Sequence, residues 1–141
     1  MKAVEFIEAR GHEEIRATHG TTFEITKEEF LTERGDCIIA TKASKSVSGL
    51  SSEFKSLARN RSTVIKVLIE VNGLRELATG RGDNALSFAS QTSMVIRKSD
   101  YVCHRTLMVN SDKVAKDFSR EFVKLLRNPN QTIRIMITAE G

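Results

Sequence analysis

Ser62-Thr63-Val64-Ile65-Lys66-Val67-Leu68-Ile69-Glu70-Val71, followed at once by Asn72-Gly73 and then Leu74-Arg75-Glu76-Leu77-Ala78-Thr79, is the stretch that decides the fold. Val64, Ile65, Val67, Leu68, Ile69 and Val71, with only Lys66 and Glu70 among them, predict a strand buried on both faces near the centre of a sheet. Asn-Gly is the strongest two-residue hairpin signal, because both central residues of that turn need positive φ. The return strand then runs over Leu74 to Thr79, and the pair begins an antiparallel sheet.

Further strands lie to either side. Val4, Phe6 and Ile7 open a short strand that ends at Gly11, and Thr21 to Thr26 alternates with Phe23 and Ile25 on one face. Cys37 to Thr41 is a compact apolar strand entered through Gly35-Asp36. Met94 to Arg97 and Thr106 to Val109 follow, and Thr132 to Thr138 closes the series with Ile133, Ile135 and Ile137 on one side. Two stretches change period. Ser111 to Leu126 spaces Val114, Ala115, Phe118, Phe122, Leu125 and Leu126 as a helix face, and Gly49 to Arg59 does so with Leu50, Phe54, Leu57 and Ala58. Each single apolar stripe needs a sheet to cover. No internal repeat, low-complexity tract or linker is read in the chain, so the expectation is one domain over 1–141. That domain is mainly β, an antiparallel β-sandwich with two helices packed on it.

The 141 residues, 40% hydrophobic and 28% charged, are ordinary for a globular chain and exclude a disordered one. No apolar run approaches the ~18 residues of a membrane helix, so no membrane partner is expected. Met1-Lys2-Ala3-Val4-Glu5 lacks the apolar core of a signal peptide, so Cys37 and Cys103 are expected as reduced thiols in the cytoplasm. The net charge of +4 is unevenly spread. Residues 1–36 hold five Lys/Arg against nine Asp/Glu, whereas 37–96 and 97–127 each hold eight against four.

Chemistry is concentrated between the strands at Met94 and Leu107. Arg97-Lys98-Ser99-Asp100-Tyr101-Val102-Cys103-His104-Arg105-Thr106 carries three cations, a histidine, a thiol and hydroxyls that a turn does not require. Arginines offer forked donors to a phosphate or carboxylate, lysines a point charge, and hydroxyls fill the remaining acceptors. Arg97, Lys98, Ser99, Arg105 and Thr106 are therefore the candidate anion-binding residues. Lys42 and Lys45, interleaved with Ser44, Ser46 and Ser48, form a second basic cluster. Neither cluster has the spacing of a phosphate loop, and Gly80-Arg81-Gly82 lacks the third glycine of a dinucleotide fingerprint. Asp36, after Gly35 and before a buried strand, is a further candidate ligand or base, or a turn cap. His12 and His19, among Glu13, Glu14, Thr21 and Thr22, are candidate acid/base groups. No metal site is expected: only Cys103 and His104 are close, and neighbours on a strand point to opposite faces. The sequence leaves any cofactor unknown.

The run His12…His19-Gly20-Thr21-Thr22, then Leu31-Thr32-Glu33-Arg34-Gly35-Asp36-Cys37-Ile38-Ile39, then Arg97-Lys98-Ser99 and Arg105-Thr106-Leu107 resembles a family of small archaeal proteins known only as a domain of unknown function. The resemblance spans nearly the whole chain. It implies a jelly-roll-like sandwich with packed helices in a cytoplasmic archaeal protein, and it supplies no activity, cofactor or catalytic residue.

The leading expectation is a binding domain, with catalysis left open, for a small anionic or phosphorylated ligand. The alternative is an RNA- or ribonucleoprotein-binding module without catalysis, resting on Lys113, Lys116, Arg120, Lys124 and Arg127 along one helix. A homo-oligomer through edge strands or the basic helix is compatible with either.

Overall fold

The structure, a computed structural model, describes residues 1–31 and 35–141; Thr32, Glu33 and Arg34, in the second resembling block, lie outside the described residues. In chain order the elements are β1 (Lys2–Arg10), β2 (Thr22–Thr26), β3 (Ile38–Ala40), α1 (Ser52–Ala58), β4 (Val64–Val71), β5 (Leu74–Arg81), β6 (Ser93–Arg97), β7 (Thr106–Met108), α2 (Arg120–Leu126) and β8 (Thr132–Glu140). They form two four-stranded sheets, ordered β1-β8-β4-β5 and β3-β2-β6-β7, in a sandwich-like arrangement around a shared core.

The β4–β5 hairpin turns at Asn72 and Gly73, with φ of 47° and 84°, and pairs Val71 with Leu74. β4 sits between β8 and β5, but only one of its faces is buried. Ile65, Val67, Ile69 and Val71 point into the core, while Lys66 is exposed and Leu68 and Glu70 are half-buried. The expected burial on both faces fails because the helices do not lie over that outer face. They insert Phe54, Ala58, Phe122, Val123 and Leu126 into the core instead. Two pairings also depart from a purely antiparallel sandwich: β2–β3 and β6–β7 are parallel.

Both helices are shorter than their apolar periods suggest. Ser111–Leu126 resolves into a 3-10 turn at Ala115–Asp117 and α2, and Gly49–Arg59 into α1 preceded by a 3-10 turn at Val47–Gly49. Serine sets each break. The Ser51 hydroxyl accepts the Phe54 N–H and that of Ser119 accepts the Phe122 N–H, so each helix begins at a side-chain cap after an extended Leu50 or Phe118.

The element order shows a repeat that was not expected from the sequence. Strand, strand, strand, 3-10 turn, helix, strand occurs twice, over β1–β4 and over β5–β8. The left-handed residues recur in step, Ala17 (φ 50°) with Phe88 (52°) and Lys42 (52°) with Asn110 (55°). Isolated bridges join Arg10 to Thr41 and Arg81 to Val109. Pairings between the halves place each central residue opposite its own counterpart, Glu24 against Val95 and Leu68 against Met136. A pseudo-twofold axis therefore passes through both sheets.

Candidate functional site

Phe23 and Ile25 of β2, and Met94 and Ile96 of β6, point into the core. Alternation along a strand sends Thr22, Glu24, Val95 and Arg97 to the other side of this sheet. There a cleft of about 420 Å³ lies over the β2–β6 pair, on the pseudo-twofold axis. His19, Thr21 and Thr22 line one part, Gly35, Cys37 and Ile38 another, and Arg97 and Arg105 a third, with Glu24 and Val95 among them.

Arg97 is fixed from three sides. Its Nε donates to Thr106 Oγ1 at 3.0 Å, its Nη2 lies 3.1 Å from Cys103 Sγ, and its guanidinium stacks 4.9 Å from the centre of the Tyr101 ring. Thr106 is fully buried and also accepts the Cys103 N–H at 2.9 Å, so it positions the arginine without facing the cleft. Arg105 is held less tightly, with Nη1 3.5 Å from Glu24 Oε1 and 43% of its side chain exposed.

Glu24 has only 8% of its surface exposed. Burial pushes its carboxyl above the usual carboxylate range, against the opposing pull of Arg105 and a hydrogen bond from Ser93. Cys37 lies 3.9 Å from Glu24 Oε1, and burial together with the Glu24 and Asp36 charges pushes its thiol up to about 11. Cys103 behaves oppositely. Burial works against its ionisation, but the Arg105 N–H, the Thr106 hydroxyl and the Arg97 guanidinium bring the thiol down to about 7.

His19 Nδ1 receives the backbone N–H groups of Thr21 and Thr22 at 3.3 and 3.2 Å. A backbone N–H can only donate, so Nδ1 accepts and the neutral ring carries its proton on Nε2. The histidine thus offers the cleft a donor. The loop geometry behind this is backbone-held: Asp36 O accepts both the Thr18 and the His19 N–H, at 3.0 and 3.3 Å.

The structure brings His19, Arg97 and Arg105 together and places Asp36 directly between two lining residues, Gly35 and Cys37. Asp36 contributes through its carbonyl and through the negative charge it adds beside Cys37. Lys98 and Ser99 do not line the cleft: the Lys98 N–H holds Thr21 O at 2.9 Å, and Ser99 Oγ accepts the Tyr101 N–H within the turn. His12 is elsewhere. β1 ends at Arg10, and Gly11-His12 packs onto the end of α2, with the His12 N–H donating to Leu126 O at 3.0 Å. Lys45 is engaged in a 2.8 Å bridge to Glu5, away from the cleft. Arg81-Gly82-Asp83 is the turn equivalent to Arg10-Gly11-His12 in the other half. Among the described residues no group of three or more metal-ligating side chains forms, and both cysteines are free.

The sequence reading missed Glu24. Its signal was a lone charge in the alternating Thr21–Thr26 strand, on the face opposite Phe23 and Ile25. It also missed the asymmetry of the cleft. Glu24 N–H bonds Cys37 O and Val95 N–H bonds Arg105 O, and the His19 and Ser90 N–H groups bond Asp36 O and His104 O, which makes these residues counterparts. Thus Glu24 stands where the other half has Val95, Arg105 where it has Cys37, and His19 where it has Ser90. The two halves share a backbone, and the charges that define the cleft belong to one or the other.

These features define a class: a two-sheet, repeat-built β protein with a charged cleft set on its internal axis. The chain belongs to the family described as Domain of unknown function (DUF371), whose model matches residues 7–140. It is similar to Uncharacterized protein MJ0206 of Methanocaldococcus jannaschii, with 49% identity over 127 residues, covering 90% of this chain and 93% of that protein.

Proposed function

We propose that this protein binds a small anionic ligand, a phosphate or carboxylate group on a metabolite, in the cleft over β2 and β6. The observation that carries this reading is the meeting of two guanidinium groups, Arg97 and Arg105, with His19, Thr21 and Thr22 around one cavity. Glu24 faces them and pairs with Arg105 at 3.5 Å, which leaves one carboxyl against two guanidinium groups in the cleft. Thr106, Cys103 and Tyr101 hold Arg97 in place before any ligand arrives, which lowers the ordering cost of binding. The groups available for proton transfer beside such an anion are His19 and Glu24. We place the protein in the cytoplasm, where Cys37 and Cys103 remain reduced.

The RNA reading is not carried forward, because three of the five cations that suggested it are engaged within the protein, while Lys116 and Lys124 are exposed. Lys113 bridges Glu76 at 3.0 Å, Arg120 donates to the carbonyls of Arg16, Ala17, Ala115 and Phe118, and Arg127 donates to that of Glu13. The experiment is a thermal-shift screen with inorganic phosphate, pyrophosphate, nucleotides and sugar phosphates. At least one anion is expected to raise the melting temperature, and Arg105→Ala and Thr22→Val to reduce that rise. No response to any anion, or a rise untouched in both variants, overturns the reading.

A further inference from the structure

The outer face of the β1-β8-β4-β5 sheet carries a row of apolar side chains in direct register. Phe6 pairs with Met136, Met136 with Leu68, and Leu68 with Leu77, so the row crosses all four strands. Phe6 is 69% exposed and Leu77 41%, while Met136 and Leu68 are half-buried. A shallow groove of about 590 Å³ lies beside Phe6, Met136 and Leu68 of this row. Scattered exposed apolar residues are ordinary, but a contiguous apolar row across a sheet marks an interaction surface.

The next row in register is charged and alternates in sign. Glu8 pairs with Arg134, Arg134 with Glu70, and Glu70 with Arg75. Across the sheet the order is therefore minus, plus, minus, plus. The internal axis passes between Leu68 and Met136, at the middle of the apolar row.

We infer that this sheet face binds a second copy of the same chain, about a twofold axis parallel to the strands. Such an axis reverses the strand order, laying β1 over β5 and β8 over β4 of the second copy. Phe6 then meets Leu77 of the second copy, and Met136 meets its Leu68. In the charged row Glu8 meets Arg75 of the second copy and Arg134 meets its Glu70, and the symmetry repeats both pairs. Every position in that row faces its opposite charge. An in-plane axis perpendicular to the strands instead sets the charged row against Val4, Thr138, Lys66 and Thr79, leaving Glu8 and Arg134 opposite uncharged side chains. Self-complementarity is what an isologous interface requires, and packed sheets keep their strands within about 30° of one another. This interface lies on the opposite sheet from the anion cleft and is independent of it.

Sedimentation velocity on the full chain, up to about 500 µM, tests the inference. The chain is expected to dimerise with concentration. Phe6→Ser, Leu77→Ser and Arg134→Glu are each expected to weaken association at least tenfold while retaining the folded circular-dichroism spectrum. Inverting the whole row (Glu8→Arg, Arg134→Glu, Glu70→Arg, Arg75→Glu) keeps every opposite-charge pair within and between copies. That variant is expected to dimerise with itself but not with the parent chain. A parent chain that stays monomeric throughout, or dimers indifferent to the substitutions, or free exchange between parent and inverted chains, overturns the inference.

Discussion

Replacing Gly11 by alanine would drive a Cβ into the carbonyl oxygens of Asn128 and Leu126, well inside the 3.0 Å that such contacts respect. Gly82, its counterpart in the other half, meets the carbonyls of Ala58 and Asn60 in the same way. These glycines are the joints where a strand end lies flush on a helix end. Relieving the overlap costs about 1–3 kcal/mol as an overpacking change. Parting the joint also weakens two backbone hydrogen bonds, each worth about 1 kcal/mol net. At Gly11 these are its own N–H to Gln131 O at 3.3 Å and the His12 N–H to Leu126 O at 3.0 Å. At Gly82 they are its N–H to Thr63 O at 3.0 Å and the Asp83 N–H to Ala58 O at 3.1 Å. Loss of glycine's freedom in the unfolded chain returns about 0.4–1 kcal/mol. Gly11→Ala and Gly82→Ala should therefore each destabilise by about 2–4 kcal/mol, and by similar amounts. With a urea m-value near 2 kcal/mol/M the midpoint falls by about 1–2 M. Gly49→Ala is the control: its nearest neighbour is Lys45 Cβ at 3.7 Å, and its midpoint should not fall but rise by about 0.2–0.5 M. The reasoning is refuted if either joint variant loses less than about 1 kcal/mol, or if only one of the two is affected.

Other perturbations have defined signs. Glu5 accepts from Lys45 Nζ at 2.8 Å and from the Ser51 N–H at 2.7 Å; burial opposes its ionisation, yet these bonds hold its pKa below 4.5. Its stabilisation is present above pH 4.5 and lost as pH falls through the lower folded value, so Glu5→Gln should lose about 1–2 kcal/mol at pH 7 and progressively less as urea titrations are carried below pH 4.5. Glu24 has the opposite sign: its folded pKa lies above 4.5, so stability it supports at low pH is lost as pH rises through the folded value. Glu24→Gln should therefore melt higher than the parent at pH 7 and no higher at pH 4; a variant that melts lower at pH 7 contradicts the burial argument. Iodoacetamide labelling followed by mass spectrometry should modify Cys103 with a midpoint near pH 7 and spare Cys37 until about pH 11. Equal labelling of both thiols at pH 8 contradicts the assignment of Arg97 to the Cys103 sulfur.

The hairpin was fully legible, because Asn72-Gly73 states a backbone requirement that few other pairs meet. The inward isoleucines of β8 were equally plain, since Ile133, Ile135 and Ile137 repeat with the strand period. Burial of β4 was misread. A run of β-branched residues shows that a strand is central, not whether a second layer covers it, and here Leu68 lies in the row left open. The helix breaks lay in Ser51 and Ser119, whose caps interrupt apolar patterns that run straight past them. The repeat was hidden because its fixed points are backbone conformations held by different side chains, Ala17 and Phe88, or Lys42 and Asn110. Its traces were the arginine-glycine pairs at Gly11 and Gly82 and the phenylalanine three residues after each capping serine. For the cleft, side-chain chemistry singled out Arg97, Arg105 and His19, but it did not separate His12, which follows β1, from His19, which precedes β2 at the cleft. Sequence spacing does not carry that distance.

Amide chemical shifts of the labelled protein, followed while the anion that most raises its melting temperature is added, test the proposed binding at the cleft most directly. The account predicts saturable shifts at Thr21, Thr22, Gly35, Cys37, Arg97 and Arg105, with the outer face of the β1-β8-β4-β5 sheet and the α2 surface unmoved. Shifts centred on α2 or on that sheet, or a spectrum unchanged by the anion, would contradict it.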